Sequence, residues 1–528
     1  MKIRALGVLA LTMLLMAGTA AAQTAVIPDA KAFMQTVATA MGTTNIKTME
    51  YTGAGTVRAF GQSFSINDDW PRFEMPAFKR VIDFDAKYSR EDLTRRQGNN
   101  PPRGGGGTPL QGEQQQITLV NGNFAWNLNG ANVAPQPTAA EQRQIDVMLT
   151  PHGFVKAALQ ANDLTAVTMM MALDDGTIGK TAGPAGRKVT YVAFTALGKY
   201  QMSGAIDDQN MLERAQTWMG NPVIGDHNYQ WDFKAYKDWG NGVKFPTNLH
   251  QHNVDVRYNG HHGYDINVTA VTVNGPVAVA AVPDAVRQAR PPAVQVASSQ
   301  LSPGVWLIAG GSHNSVAVEF KDFITVIEAP LNEERSLAVI KEVQRLIPNK
   351  MIRYLIVTHH HFDHSGGIRT YATQGATLVV HDASRRFYEE EVFYPHARMM
   401  MPDTMSMYYP RFASNKLAVF DTVRSSPENR TKHVISDGAR TIELHPVQGL
   451  NHVADMLVAY LPTEKILVNA DLYSPPAPGA QPPAVNPSIT SLNNNIQRLK
   501  LDVNQHVPIH GVPGSHADFM RVVGRPSN

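Results

Sequence analysis

Val357 to Gly367 reads VTHHHFDHSGG. Four of the chain's 19 histidines fall within the six residues His359 to His364. The run before them, Arg353 to Thr358, is short and apolar and has the pattern of a buried strand. Ser365-Gly366-Gly367 then opens a helical stretch, IRTYATQG. The histidines are therefore expected in a loop at the carboxyl end of a strand, where α/β sheets place their ligand sites. Alternate residues of an extended segment point the same way. His359 and His361 should thus face one point while His360 faces elsewhere. Asp363 and His364 come after the turn and reach a second point.

Neutral imidazole and carboxylate are zinc ligands at about 2.0–2.2 Å. Three more such residues end apolar runs downstream: His452 after VQGLN, Asp471 at the end of KILVNAD, and His510 at the end of HVPIH. Together the seven supply three histidines for one ion, an aspartate and two histidines for another, and Asp471 between them. The chain has no cysteine, so thiolate is neither ligand nor nucleophile and no disulfide is available.

Around this core the pattern is that of alternating strands and helices. VWLIAG, SVAVEF, FITVIEAP, TLVVH, TIELHPV, MLVAYLP and KILVNAD are short strand-like runs, and ERSLAVIKEVQRLI is helical. An α/β layer domain over 303–528 follows. A linker is expected at 287–302. Residues 23–286 read as a mainly antiparallel β domain with a few helices, one of them over Ala25 to Met41. Tyr258-Asn259-Gly260 reads as a hairpin turn. The Gly/Pro-rich stretch Asn99 to Pro109 lacks the Lys-Ser/Thr ending of a phosphate loop and reads as a flexible loop. Residues 1–22 read as a secretory signal peptide: Lys2 and Arg4, an apolar core from Leu6 to Met16, and Ala20-Ala21-Ala22 before the cut. The mature protein is then expected in the periplasm or outside the cell, with no integral membrane segment. The formal net charge of +2 gives no general pull toward nucleic acid.

Thr358 to His364, with the later His452, Asp471 and His510 in order, resembles the signature of the metallo-β-lactamase-fold hydrolases. The resemblance implies an αβ/βα sandwich with metals at one edge. It implies that His359, His361 and His452 hold a first zinc, that Asp363, His364 and His510 hold a second, and that Asp471 bridges. Iron or manganese are the alternatives to zinc. Two such ions can share a hydroxide that attacks an ester, thioester, lactone or amide-type bond of a small-molecule substrate, with apolar molecules among the candidates. Asp363 is then the catalytic residue that orients the nucleophile or carries a proton. The chain departs from the family pattern at Glu328, where Asp is usual, at Asn451 before His452, and at Ile509 before His510; these alter the surroundings of the ligands. The lack of cysteine excludes β-lactamases with a Cys ligand, and Asp471 points to the glyoxalase-II-like ligand set. Export argues against glyoxalase II itself. Iron-dependent redox members such as persulfide dioxygenases share the ligands. The stretch WDFKAYKDWGNGVKFPTNLHQHNVD resembles lipoprotein-carrier-like half-barrels, so the contrasting reading is an envelope carrier with a vestigial metal domain. Neither substrate nor oligomeric state follows from these residues.

Two further stretches carry expectations. His250, His252, His261 and His262 read as a solvated hairpin rather than an accessory metal site, because no carboxylate motif accompanies them. The Met- and aromatic-rich segment Phe387 to Phe412 reads as helices packed on their own domain rather than a lid, and the Pro-rich stretch after Asp471 as an active-site loop.

Overall fold

The computed structural model describes residues 24–171, 187–253, 262–394, 397–409, 414–425, 432–476, 481 and 483–524. The signal-peptide segment and the Tyr258-Asn259-Gly260 turn lie outside the described residues, as do His261 and parts of Phe387–Phe412 and of the Pro-rich stretch. The chain divides into two compact units, each discontinuous in sequence. No described helix is long and apolar enough to cross a membrane.

The first unit comprises residues 1–46, 148–216 and 232–247. Its strands Thr165–Met171, Arg187–Ala196 and Tyr200–Ile206 pair antiparallel in chain order. The helix Ala30–Met41 buries Met34, Val37 and Met41 on one face. It starts five residues later than the apolar periodicity suggests. Pro28 disfavours helical backbone at Ile27, and the Asp29 side chain caps the helix by accepting from Ala32 N at 2.9 Å. Ala25–Val26 instead pairs antiparallel with Thr165–Met171.

The second unit comprises residues 47–147, 217–231 and 248–528. Its first part is an antiparallel meander of Thr48–Arg58, Arg72–Asp83, Tyr88–Arg96, Gln114–Asn121, Phe124–Asn129 and Asn132–Pro135. His262–Val273 joins it beside Thr48–Arg58. Its second part is two stacked sheets. Among the described residues one has seven strands, in order Ala297–Ser302, Val305–Gly310, His313–Glu319, Phe323–Ile327, Met351–Ile356, Thr377–His381 and Val419–Val423. The last four run parallel to one another, as crossover helices require. The other has six, from His433–Ser436 to Gly514–Ser515. Ala297–Ser302 falls in the segment read as a linker. Its run of serines lacks the β-branched pattern of a buried strand, and it pairs as an edge strand with Val305–Gly310.

Burial explains the layers. Val316, Val318, Ile356 and Val379 meet Leu444, Val458, Leu467 and Val507 in one core between the sheets. The helix Glu333–Leu346 packs Val339, Ile340 and Val343 on the opposite face, against Ile324, Val326, Leu355 and Leu378. The helices Pro487–Leu499 and His516–Val523 add Ile489, Leu492, Phe519 and Val522 to the first core. Helices therefore cover both sheets, giving the αβ/βα sandwich expected. The strand Met351–Ile356 ends just before the histidine cluster. Gly366 follows the cluster because a Cβ there would lie 1.8 Å from Leu331 O.

Candidate metal centre

All seven expected residues meet at the ends of these strands. His359, His361, His452 and Asp471 each offer a ligand atom within 4.8 Å of the others, and Asp363, His364 and His510 form a second such group with His313. Asp471 stands between the groups. Its Oδ2 lies 3.3 Å from His359 Nε2, 3.1 Å from His364 Nε2 and 3.2 Å from His452 Nε2. Its Oδ1 lies 3.1 Å from His510 Nε2. The φ angle of Asp471 is 56° and that of Glu328 is 76°, so two non-glycine residues here hold the left-handed conformation, a cost typical of functional sites.

The far nitrogens of the rings are tied, which leaves the near ones facing inward. His361 Nε2 donates to Ser63 O at 2.9 Å. His364 Nδ1 donates to Glu328 Oε2 at 2.6 Å, and His510 Nδ1 to Ser312 O at 3.1 Å. His359 Nδ1 bonds Thr358 Oγ1 at 3.0 Å. As a result His359 Nε2 faces His361 Nδ1 at 3.0 Å, and His364 Nε2 faces His510 Nε2 at 3.3 Å. In neutral rings these inward nitrogens carry lone pairs. His452 Nε2 is buried and makes no hydrogen bond. Lone pairs aimed at one another beside a carboxylate are the arrangement a divalent cation satisfies.

The electrostatics divide the rings: His359 and His361 are kept neutral, whereas His364 and His510 are drawn to positive charge beside Asp471. Burial, and then the neighbouring imidazoles, hold His359 and His361 well below the usual histidine range, so both are neutral donors. Burial also disfavours charge on His364, yet Asp471 and Glu328 raise it well above that range. The imidazoles of His364, His452 and His510 outweigh the burial penalty on Asp471 and keep it ionised. A carboxylate held charged among buried rings leaves a place for positive charge.

His360 faces away, as alternation predicts. Its Nδ1 bonds Asp455 Oδ1 at 2.7 Å and its Nε2 bonds Ser63 Oγ at 3.0 Å. Glu328 fits where Asp is usual, because its second oxygen accepts from Thr358 N at 2.7 Å. One carboxylate thus fixes both the start of the loop and the His364 ring.

Four contributors escape sequence reasoning. His313 Nε2 lies 3.3 Å from Asp363 Oδ2, but it is a lone histidine at a strand start. Gln62 Nε2 donates to Asp363 Oδ1 at 2.8 Å, and Ser63 touches both His360 and His361. These two come from the loop between Thr48–Arg58 and Arg72–Asp83. The stretch Asn99 to Pro109, read as a flexible loop, packs here instead. Gly104 N donates to Asn451 O at 2.9 Å and Gly105 N to Gln62 O at 3.0 Å. Its glycines serve close approach: a Cβ on Gly105 would lie 1.9 Å from Gln62 Oε1 and 2.9 Å from His361 Cε1. Of the Met- and aromatic-rich segment, Tyr388, Val392, Phe393 and Met405 are in the core, while Met399 and Tyr408 are 81% and 77% exposed.

The sequence model of the metallo-beta-lactamase superfamily matches residues 308–501. No curated protein matches the chain. Similar solved structures include a metallo-beta-lactamase from Pontibacter korlensis, 18% identical, covering 43% of this chain and 96% of that one with a TM-score of 0.30. The mono-zinc form of a metallo-beta-lactamase from Pseudomonas aeruginosa is 22% identical, covering 44% and 95% with a TM-score of 0.31. One from Hirschia baltica is 16% identical, covering 44% and 100% with a TM-score of 0.31. The match to the family model, which takes in six of the seven expected ligands, identifies residues 308–501 as a metallo-beta-lactamase superfamily domain preceded by a large antiparallel β structure.

Proposed function

We propose that the protein is an exported, dinuclear zinc-dependent hydrolase acting on an ester, thioester, lactone or amide-type bond of a small molecule. The observation that carries this reading is the position of Asp471, within 3.3 Å of nitrogens from both histidine groups. His359, His361 and His452 would hold one zinc, Asp363, His364 and His510 the other, and Asp471 both. Zinc bound there lowers the pKa of coordinated water to about 7 and polarises a carbonyl oxygen. The protein's own part is to orient and to hold protons. Gln62 fixes one Asp363 oxygen and His313 Nε2 lies 3.3 Å from the other, so the carboxylate is held in one orientation. Ser63, Glu328 and Ser312 fix ring orientation. Seven inward ligand residues without a cysteine, Asp471 among them, support the glyoxalase-II-like ligand set. The signal-like segment 1–22 supports a periplasmic or secreted location.

Zinc-loaded protein, assayed on ester, thioester, lactone and β-lactam probes, should hydrolyse at least one class and lose that activity on chelation. Inactivity of fully zinc-loaded protein across the panel would defeat the hydrolase reading. Oxygen-dependent turnover by the iron-loaded form alone would favour the redox members of the fold.

A further inference from the structure

The hairpin histidines are the second place where imidazoles converge. His250, His252 and His262 each offer a ring nitrogen within 4.8 Å of the others. Their ring centroids are 4.4, 5.0 and 5.1 Å apart. The triad of the principal centre, His359, His361 and His452, has spacings of 4.5, 4.7 and 5.5 Å. The two triads are matched in size.

Strand register brings these residues together. His250 and His252 alternate on Lys244–Asn253, so they share a face. His250 pairs across the ladder with Asp265, and His252 pairs with His262. A register shift between the two pairs draws the three rings to one spot.

The carboxylates that the sequence does not reveal are present. His250 Nδ1 bonds Asp265 Oδ1. His262 Nδ1 bonds Asp69 Oδ2 at 2.9 Å. Asp69 lies 193 residues before His262, which is why no motif announces it. A carboxylate on one ring nitrogen fixes the tautomer and makes the other nitrogen a better metal donor. Each of these rings thereby keeps Nε2 for an ion. Arg58 joins both carboxylates, at 3.1 Å from Asp69 and 3.6 Å from Asp265. Around the rings, two carboxylates and one guanidinium leave a negative surplus that favours a cation.

We propose that His250, His252 and His262 form a third metal site, separate from the dinuclear centre, that binds a divalent first-row transition ion such as zinc. Imidazole ligands suit zinc, copper and nickel, and their neutrality excludes a preference for calcium or magnesium. The site is structural in its consequence. Asp69 belongs to the loop whose Gln62 and Ser63 reach the principal centre, so an ion on His262 would anchor the far end of that loop. This assignment does not depend on the hydrolase reading.

The test is zinc stoichiometry on the full chain, stripped with chelator, reloaded with zinc chloride and desalted. Wild-type protein should retain three zinc ions, and His252→Ala/His262→Ala should retain two. His359→Ala/His361→Ala should still retain the hairpin ion. Zinc-edge absorption on that second variant should show nitrogen ligands at about 2.0–2.1 Å. His262→Gln, at a side chain 28% exposed, is a milder change that should also lower the count by one. Three ions retained by the folded hairpin variants would overturn the proposal, as would two in the wild type with no loss in those variants. A failure of the hydrolase reading would appear in turnover or in the number of ions at the principal centre, and would leave the one-ion difference between wild type and the hairpin variants unchanged.

Discussion

His360 and His361 are neighbours with opposite roles, and the pair gives the sharpest single-residue test of the site. His361 Nδ1 faces His359 across 3.0 Å, so His361→Ala removes a proposed ligand. His360 is held by Asp455 and Ser63, so His360→Ala should only disturb the frame, lowering zinc affinity or turnover by roughly 10–100-fold. Asp471→Ala should weaken both ions. Zinc titration with a competing chelator reads all three variants. Abolished binding in His360→Ala with normal binding in His361→Ala would show the register to be wrong. This division between adjacent residues was legible in the sequence because strand alternation is local. His313 was not, because nothing in SHNS distinguishes a ring that meets Asp363 from a solvated one. Asp69 and Asp265 were invisible for the same reason: a carboxylate partner brought by tertiary pairing leaves no spacing to read.

At the scale of elements, strands and helices of the sandwich follow their apolar periods closely, since both faces of each sheet are buried. The loops do not. Asn99 to Pro109 has the composition of a flexible linker, but its glycines are required by contact with Gln62 and the His361 ring. Composition cannot tell a glycine selected for freedom from one selected for small size. Gly105→Ala tests the distinction. Its Cβ would meet Gln62 Oε1 at 1.9 Å, so Gln62 must leave Asp363 or the loop must shift. Such overpacking costs about 1–3 kcal/mol. The variant should fold with a lower melting temperature and weaker zinc binding. A solvated loop would accept the methyl group without change in either measurement. The helix Ala30–Met41 gives the converse lesson: Pro28 and Asp29 mark its start more firmly than the apolar period that runs through them.

For the molecule as a whole, a buried centre with inward lone pairs ties stability to metal supply. An ion that binds the folded chain and not the unfolded one contributes about 2.7 kcal/mol when present at 100 times its dissociation constant. The melting temperature of stripped protein should therefore rise as zinc is added, and Asp471→Ala should blunt the rise. A thermal scan independent of zinc in the wild type would contradict a cation-binding core. The hydrogen bond from Gln62 to Asp363 has a kinetic consequence of its own. It joins residues 301 positions apart, and contacts of such sequence separation are slow to close. The segment HHHFDH, by contrast, brings the inward rings of His359, His361 and His364 together within a single turn of chain. During refolding these three imidazoles are expected to gather before the loop that carries Gln62 arrives. Over that interval the nascent site is open to whichever cation reaches it first, and the order of zinc addition and folding should decide which metal the finished protein carries.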